Sequence, residues 1–163
     1  GRRIEELEQF ALNDSMTGFY NRNAYDYFIY NEKNIKNYMV VTFDLNNLKM
    51  CNDNYGHSSG DAYIIHSAHI IETTFDRFGK CYRIGGDEFC CLIPDAAEFQ
   101  IERFIQKMQQ DIAILNNKNI IPTEVGIACG YALATPDDAD IEKVRERADE
   151  MMYHNKKVLK GLI

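Results

Sequence analysis

Two short apolar runs, residues 80–84 and 88–93, flank Gly85-Gly86-Asp87. Each run has the length and side-chain character of a strand. The glycine pair between them offers the positive φ of tight turns, so the segment is expected to fold as a β-hairpin. Any fold for this chain must therefore contain a sheet that includes this hairpin. The hairpin is also expected to carry two acids, Asp87 and Glu88, at its tip.

The rest of the chain supplies partners for that hairpin. Residues 38–45, Tyr-Met-Val-Val-Thr-Phe-Asp-Leu, read as a buried strand that delivers Asp44 at its end. Residues 125–134 form a further strand candidate. Helical spacing marks residues 1–12 as a leader helix on Ile4, Leu7 and Ala11. A second helix, residues 21–33, has Asn21 as its cap and Ala24, Tyr27 and Phe28 on one side. A short helical piece over 47–54 precedes a turn bracketed by Gly56 and Gly60, and Asp61 is expected to open a longer helix with Ile64, Ala68 and Ile71 facing the core. Residues 96–115 and 140–158 complete the set, the last helix beginning among acids and ending among lysines. The order α-α-β-α-α-β-β-α-β-α implies one α/β domain over residues 13–163 behind the leader.

Composition removes several classes of function. With 45% hydrophobic and 26% charged residues, the chain is ordinary globular protein. A formal charge of −7 argues against nucleic-acid binding, which needs a basic face. No stretch approaches the ~20 apolar residues of a membrane helix, so neither direct membrane contact nor a signal peptide is expected and the segment reads as cytoplasmic. The five cysteines, Cys51, Cys81, Cys90, Cys91 and Cys129, form no Cys-x-x-Cys pair, which argues against disulfides and structural zinc and favours buried thiols in a reducing compartment. His66 and His69 lack a carboxylate or cysteine at ligand spacing and read as surface or packing residues.

Asp44 alone reads as a cap or turn residue, and Asp87 alone as the polar tip of a hairpin. If the hairpin pairs beside the strand of residues 38–45, its tip brings these acids to Asp44. Converging carboxylates suit a hard cation with oxygen ligands, typically Mg²⁺ bridging phosphates.

Four ordered motifs now identify the chain as a member of the GGDEF family by resemblance. Arg83-Ile84-Gly85-Gly86-Asp87-Glu88-Phe89 resembles the signature loop that names the family. Asp14-Ser15-Met16-Thr17-Gly18-Phe19-Tyr20-Asn21-Arg22 is similar to its opening D-x-L-T-G-L-x-N-R. Phe43-Asp44-Leu45-Asn46-Asn47-Leu48-Lys49 with Asn52-Asp53, Gly56-His57 and Gly60-Asp61 resembles F-D-x-D-x-F-K-x-x-N-D-x-x-G-H-x-x-G-D, and Ala148-Asp149, Tyr153 and Lys156 match the spacing of A-D-x-A-L-Y-x-A-K.

The resemblance implies an α+β fold like nucleotidyl cyclases and polymerase palms, a central, largely antiparallel sheet surrounded by helices. It implies a diguanylate cyclase that condenses two GTP into cyclic di-GMP with release of pyrophosphate, acting as a homodimer because one chain holds one GTP. Asp44, Asp87, Glu88 and the backbone carbonyl of Leu45 would hold Mg²⁺, with Mn²⁺ able to stand in. Asp87, Glu88 and Lys49 would be catalytic, Glu88 as proton acceptor or second-metal ligand. Gly85 and Gly86 would let the backbone approach nucleotide, Lys156 and Lys160 would contact the triphosphate, and Asn52 and Asp61 would read guanine. A carboxylate accepts from guanine N1–H and its amine, which adenine does not offer there. Asp61 as a simple helix cap remains the alternative. An upstream sensor acting through the leader helix is a further implication.

Three departures qualify the resemblance. Asn46 stands where many members carry a second Asp, Leu48 replaces an aromatic, and Lys160 replaces a frequent arginine, losing bidentate phosphate contacts. Asp76-Arg77-Phe78-Gly79 occupies the place of the R-x-x-D product-inhibition motif, so no product inhibition is expected there. A catalytically silent GTP- or cyclic-dinucleotide-binding regulatory module is the second reading; the intact signature loop favours the enzyme.

Overall fold

A computed structural model describes residues 11–161, with five helices and one four-stranded sheet. The expected leader helix over residues 1–12 lies outside the described residues, except for Ala11 and Leu12, which are helical. In chain order the elements are α1 (Arg22–Asn31), β1 (Met39–Leu45), α2 (Leu48–Tyr55), α3 (His57–Phe75), β2 (Lys80–Arg83), β3 (Glu88–Ile93), α4 (Ile101–Asn117), β4 (Ile127–Leu133) and α5 (Ile141–Leu159).

The strand order is β2-β3-β1-β4, and every neighbouring pair is antiparallel. The α2–α3 pair carries the chain from β1 past β3 to β2, and α4 carries it from β3 past β1 to β4. This is a β-α-β-β-α-β, ferredoxin-like arrangement, and it bears out the α+β class and the antiparallel palm-like sheet. The hairpin does pair beside the strand holding Asp44.

All seven residues of β1 are buried, because helices cover both faces of the sheet. Alternation along the strand divides its side chains. Met39, Val41, Phe43 and Leu45 join a core with α2, α3 and α4 that includes Tyr63, Ile71, Phe75 and Met108. Val40 points the other way, into a smaller core with Ala24 and Tyr25 of α1 and Ile141, Val144 and Ala148 of α5. Asp44 therefore belongs to the α5 side. On the opposite edge of the sheet, Tyr20 lies along β2, donating to the Cys81 carbonyl at 3.2 Å and accepting from the Arg83 N–H at 2.8 Å.

Several boundaries differ from the sequence expectation. Asn21 caps α1 as expected, accepting from the Ala24 N–H at 3.0 Å, but the buried side chains are Ala24 and Tyr25, while Tyr27 is exposed. Helix α3 begins at His57, not Asp61, because Gly56 alone makes the turn from α2: its φ of +89° is open to glycine and strained for other residues. Helix α4 begins at Ile101 instead of near Ala96. Asp95 at φ +51° breaks the backbone there, and the Ala96 N–H bonds the Asn37 carbonyl at 2.7 Å. All five cysteines are buried and free.

Gly130 sets the distance between α5 and the sheet. A Cβ at this position would lie 2.2 Å from the Ala148 carbonyl oxygen and 2.3 Å from the Met152 nitrogen, both backbone atoms of α5. Gly130→Ala must push the helix off β4. We expect it to cost roughly 1–3 kcal/mol, as overpacking does, and to lower Tm by several degrees in thermal unfolding followed by circular dichroism.

Candidate active site at the end of the central strand

The close seat of α5 on the sheet brings Lys156 to Asp44. Lys156 Nζ donates to Asp44 Oδ2 at 2.9 Å, and the Asp44 side chain is only 8% exposed. Its other oxygen, Oδ1, is buried without a hydrogen-bond partner. Burial pushes the Asp44 carboxyl above its ordinary value; Lys156 draws it back and the nearby Asp87 pushes it up again. A buried, half-satisfied carboxylate is costly in a core, and its presence needs a reason.

The hairpin supplies the other acids. Glu88 lies opposite Asp44 in the β1–β3 register, and the Leu45 N–H donates to the Asp87 carbonyl at 3.0 Å, tying the tip to the end of β1. The turn itself differs from expectation, since neither Gly85 nor Gly86 adopts a positive φ. What Gly85 provides is room: a Cβ there would meet Glu88 Oε2 at 3.3 Å, while beside Gly86 the space is open.

Arg83, quoted above only as a motif residue, clamps this tip. Its Nη2 donates to the Gly86 carbonyl at 2.8 Å, and its Nη1 reaches both oxygens of Asp14 at 3.2 Å. Asp14 also accepts from the Thr17 N–H at 2.9 Å and the Thr17 hydroxyl at 2.7 Å. Burial acts to raise the Asp14 carboxyl, but these bonds outweigh it and hold it below the usual range. β2 reads Lys-Cys-Tyr-Arg, charged at both ends, so the strand pattern does not single out Arg83.

The remaining predicted residues fall into two groups. Asn52, half-buried on α2, rests on α3: a Cβ at Gly60 would sit 1.6 Å from Asn52 Oδ1. Asn52 thus lies against Gly60, the residue before the exposed Asp61. Asp61 lies inside α3, beyond its first residue His57, so it does not cap the helix. Lys49 is exposed on α2 and makes no side-chain hydrogen bond among the described residues. Lys160 does not join Lys156 at Asp44; it stands at the end of α5, lining a cavity of about 530 Å³ with Asn46, Asn47 and Asn116. Asn46 Oδ1, like Asp44 Oδ1, is buried and unpartnered.

These donors fit a hard divalent cation. Among the described residues no three acidic, histidine or cysteine side chains form a ready metal cluster. Mg²⁺ does not demand one, because it is commonly held by one or two carboxylates together with substrate phosphates and water. The orphaned Asp44 oxygen, with Asp87 and Glu88 beside it, offers such a partial set.

The chain matches the GGDEF family, described as diguanylate cyclase, GGDEF domain, over residues 11–160. It is 31% identical over 157 residues to diguanylate cyclase DgcN of Escherichia coli K12, covering 93% of this chain and 38% of that protein. It is 27% identical over 163 residues to diguanylate cyclase DgcS of Shewanella oneidensis, covering 94% and 52%. The chain therefore spans about half or less of these relatives' lengths. Among solved structures, the coiled coil and GGDEF domain of DgcB from Caulobacter crescentus, in complex with c-di-GMP, superposes with a TM-score of 0.83 at 22% identity, covering 96% of this chain and 86% of that one. The FimX GGDEF domain from Pseudomonas aeruginosa gives 0.73 at 18%, covering 90% and 94%. At such identities the superpositions establish a shared fold, and with a family match running through nearly every described residue, this chain belongs to the GGDEF family.

Proposed function

We propose that this chain is a diguanylate cyclase domain that joins two GTP molecules into cyclic di-GMP. The observation that carries the reading is the buried, unpartnered Asp44 Oδ1 set between the signature-loop acids and Lys156. Asp44, Asp87, Glu88 and the Leu45 carbonyl would hold Mg²⁺, or Mn²⁺ in its place, which when bound neutralises charge on the phosphate oxygens and lowers the pKa of an attacking hydroxyl.

The chain's own groups do the rest. Lys156, 2.9 Å from Asp44, opposes the effect of burial on that carboxyl, and would meet phosphate oxygens once substrate is bound. Lys49 and Lys160, both exposed, would contact outer phosphates. Open space beside Gly86 leaves the loop backbone accessible to nucleotide. Asn52 on α2 and Asp61 on α3 would accept and donate hydrogen bonds to guanine. Glu88 would take the proton of the 3′-hydroxyl or complete the metal's ligands.

The 3′-oxygen of one GTP attacks the α-phosphorus of the other, pyrophosphate leaves, and the same step in the opposite sense closes the ring. Each chain presents one such site, so two chains must face each other, which removes most of the entropic cost of bringing two substrates together. An upstream sensor in a longer protein would act by controlling that encounter.

Segment 76–79 supports the absence of R-x-x-D inhibition. A Cβ at Gly79 would lie 2.2 Å from the Leu92 carbonyl oxygen, leaving no room for an aspartate, and Arg77 lies over the Phe78 ring at 4.7 Å.

Incubation with GTP and Mg²⁺, with products identified by mass, is expected to give cyclic di-GMP at a rate rising faster than linearly with protein, and none from ATP. GTP binding without product, even with a coiled coil fused to drive dimerisation, would instead favour a silent regulatory module. Asp44→Asn and Lys156→Met should each lower kcat by about 100-fold or more. Gly60→Ala, which displaces the Asn52 side chain, should raise KM for GTP by up to about tenfold, the scale of one lost hydrogen bond, while leaving Tm nearly unchanged. Added cyclic di-GMP should leave the initial rate unaffected; strong inhibition traced to residues 76–79 would contradict the reading of that segment.

A further inference from the structure

The sheet places two thiols face to face at the base of the signature hairpin. Cys81 on β2 and Cys91 on β3 are direct cross-strand partners, with sulfurs 3.5 Å apart. The adjoining Ile84 N–H bonds the Glu88 carbonyl at 3.0 Å. Counting along the ladder from that bonded pair makes Tyr82 and Cys90 a bonded pair too, and Cys81 and Cys91 a non-bonded one. Non-bonded pairs hold their Cα atoms about 4.5 Å apart, within the roughly 4.4–6.8 Å that a disulfide spans. The other three thiols do not share this relation: Cys90 belongs to the α1–α5 core, while Cys51 and Cys129 sit on α2 and β4. Neither Cys81 nor Cys91 has any part in the catalytic reading.

We infer that Cys81 and Cys91 are the site of a reversible intrachain disulfide, formed by exchange with a low-molecular-weight disulfide. The Cys81 thiolate attacks one sulfur of the small disulfide and expels a small thiolate. The Cys91 thiolate then attacks the Cys81 sulfur of the mixed disulfide and expels the second. The balance is two protein thiols and one small disulfide giving one protein disulfide and two small thiols. Cys81 is the first attacker because it lies on the edge strand, four residues long, which can open locally at lower cost than the centre of the sheet. Cys91 is enclosed, its thiol raised by the hydrogen bond with Cys81 and by burial. The bridge would join the two strands at the base of the hairpin that carries Gly85-Gly86-Asp87-Glu88.

The test uses the intact folded chain in a glutathione redox buffer without denaturant, read by intact mass and by a non-reducing tryptic map. Loss of two hydrogens is expected, reversed by dithiothreitol, with the peptide Cys81-Tyr82-Arg83 linked to the peptide holding Cys90 and Cys91. Fragmentation of that linked wild-type peptide should place the bond on Cys91, and so does not depend on any variant folding. Cys90→Ala should keep the bridge and Cys91→Ala should lose it. A bond on Cys90, a bridge that forms only in denaturant, or glutathione adducts without a bridge would overturn the inference.

Discussion

The organisation of this domain turns on one buried ion pair, Lys156 with Asp44. The pair exists because α5 lies close enough to the sheet for a lysine in its last turns to reach the end of the central strand. That closeness depends on Gly130, where the helix backbone occupies the volume a side chain would need. The ion pair satisfies one carboxylate oxygen and leaves the other without a partner. Removing Lys156 would strand the Asp44 charge in a place that water scarcely reaches. The strand end is therefore a position where the fold accepts an electrostatic cost, which the surrounding apolar cores on both faces of the sheet can absorb.

The acids of the hairpin reach the same place by a different route. Backbone pairing sets Glu88 opposite Asp44, and the Leu45 N–H holds the Asp87 carbonyl. Arg83 then links the tip to Asp14, at the far end of the sequence order but adjacent in space. The two motifs that look independent along the chain are one hydrogen-bonded unit. In consequence, the position of the loop is set by the turn before α1 as well as by the strands.

Much of this was legible in the sequence because it follows from local pattern. Alternation and β-branched content located β1 and the hairpin, and the order of elements gave the fold class. Asp44, Asp87 and Glu88 stand out as acids beside apolar runs, and backbone pairing brings the hairpin tip to the end of β1, with Glu88 opposite Asp44. What was not legible depended on distance or on backbone detail. The Arg83–Asp14 clamp joins residues 69 apart, a separation with no periodic signature. The start of α3 differs from the sequence expectation because Gly56 by itself makes the turn that Gly56 and Gly60 are expected to bracket. The positive φ expected of Gly85 and Gly86 at the turn is absent, a backbone detail that composition does not carry. Lys156 and Lys160 stand one helical turn apart, yet one meets the carboxylate and the other borders a neighbouring cavity.

Tyr20 has an effect beyond packing. By donating to the Cys81 carbonyl and accepting from the Arg83 N–H, it occupies two outward backbone groups of β2 that would otherwise be open to another strand. That rim of the sheet is closed by the chain's own opening segment. Two copies meeting there could not merge their sheets into a continuous ladder, so association at that rim has to proceed through side chains and loops, and can stay reversible.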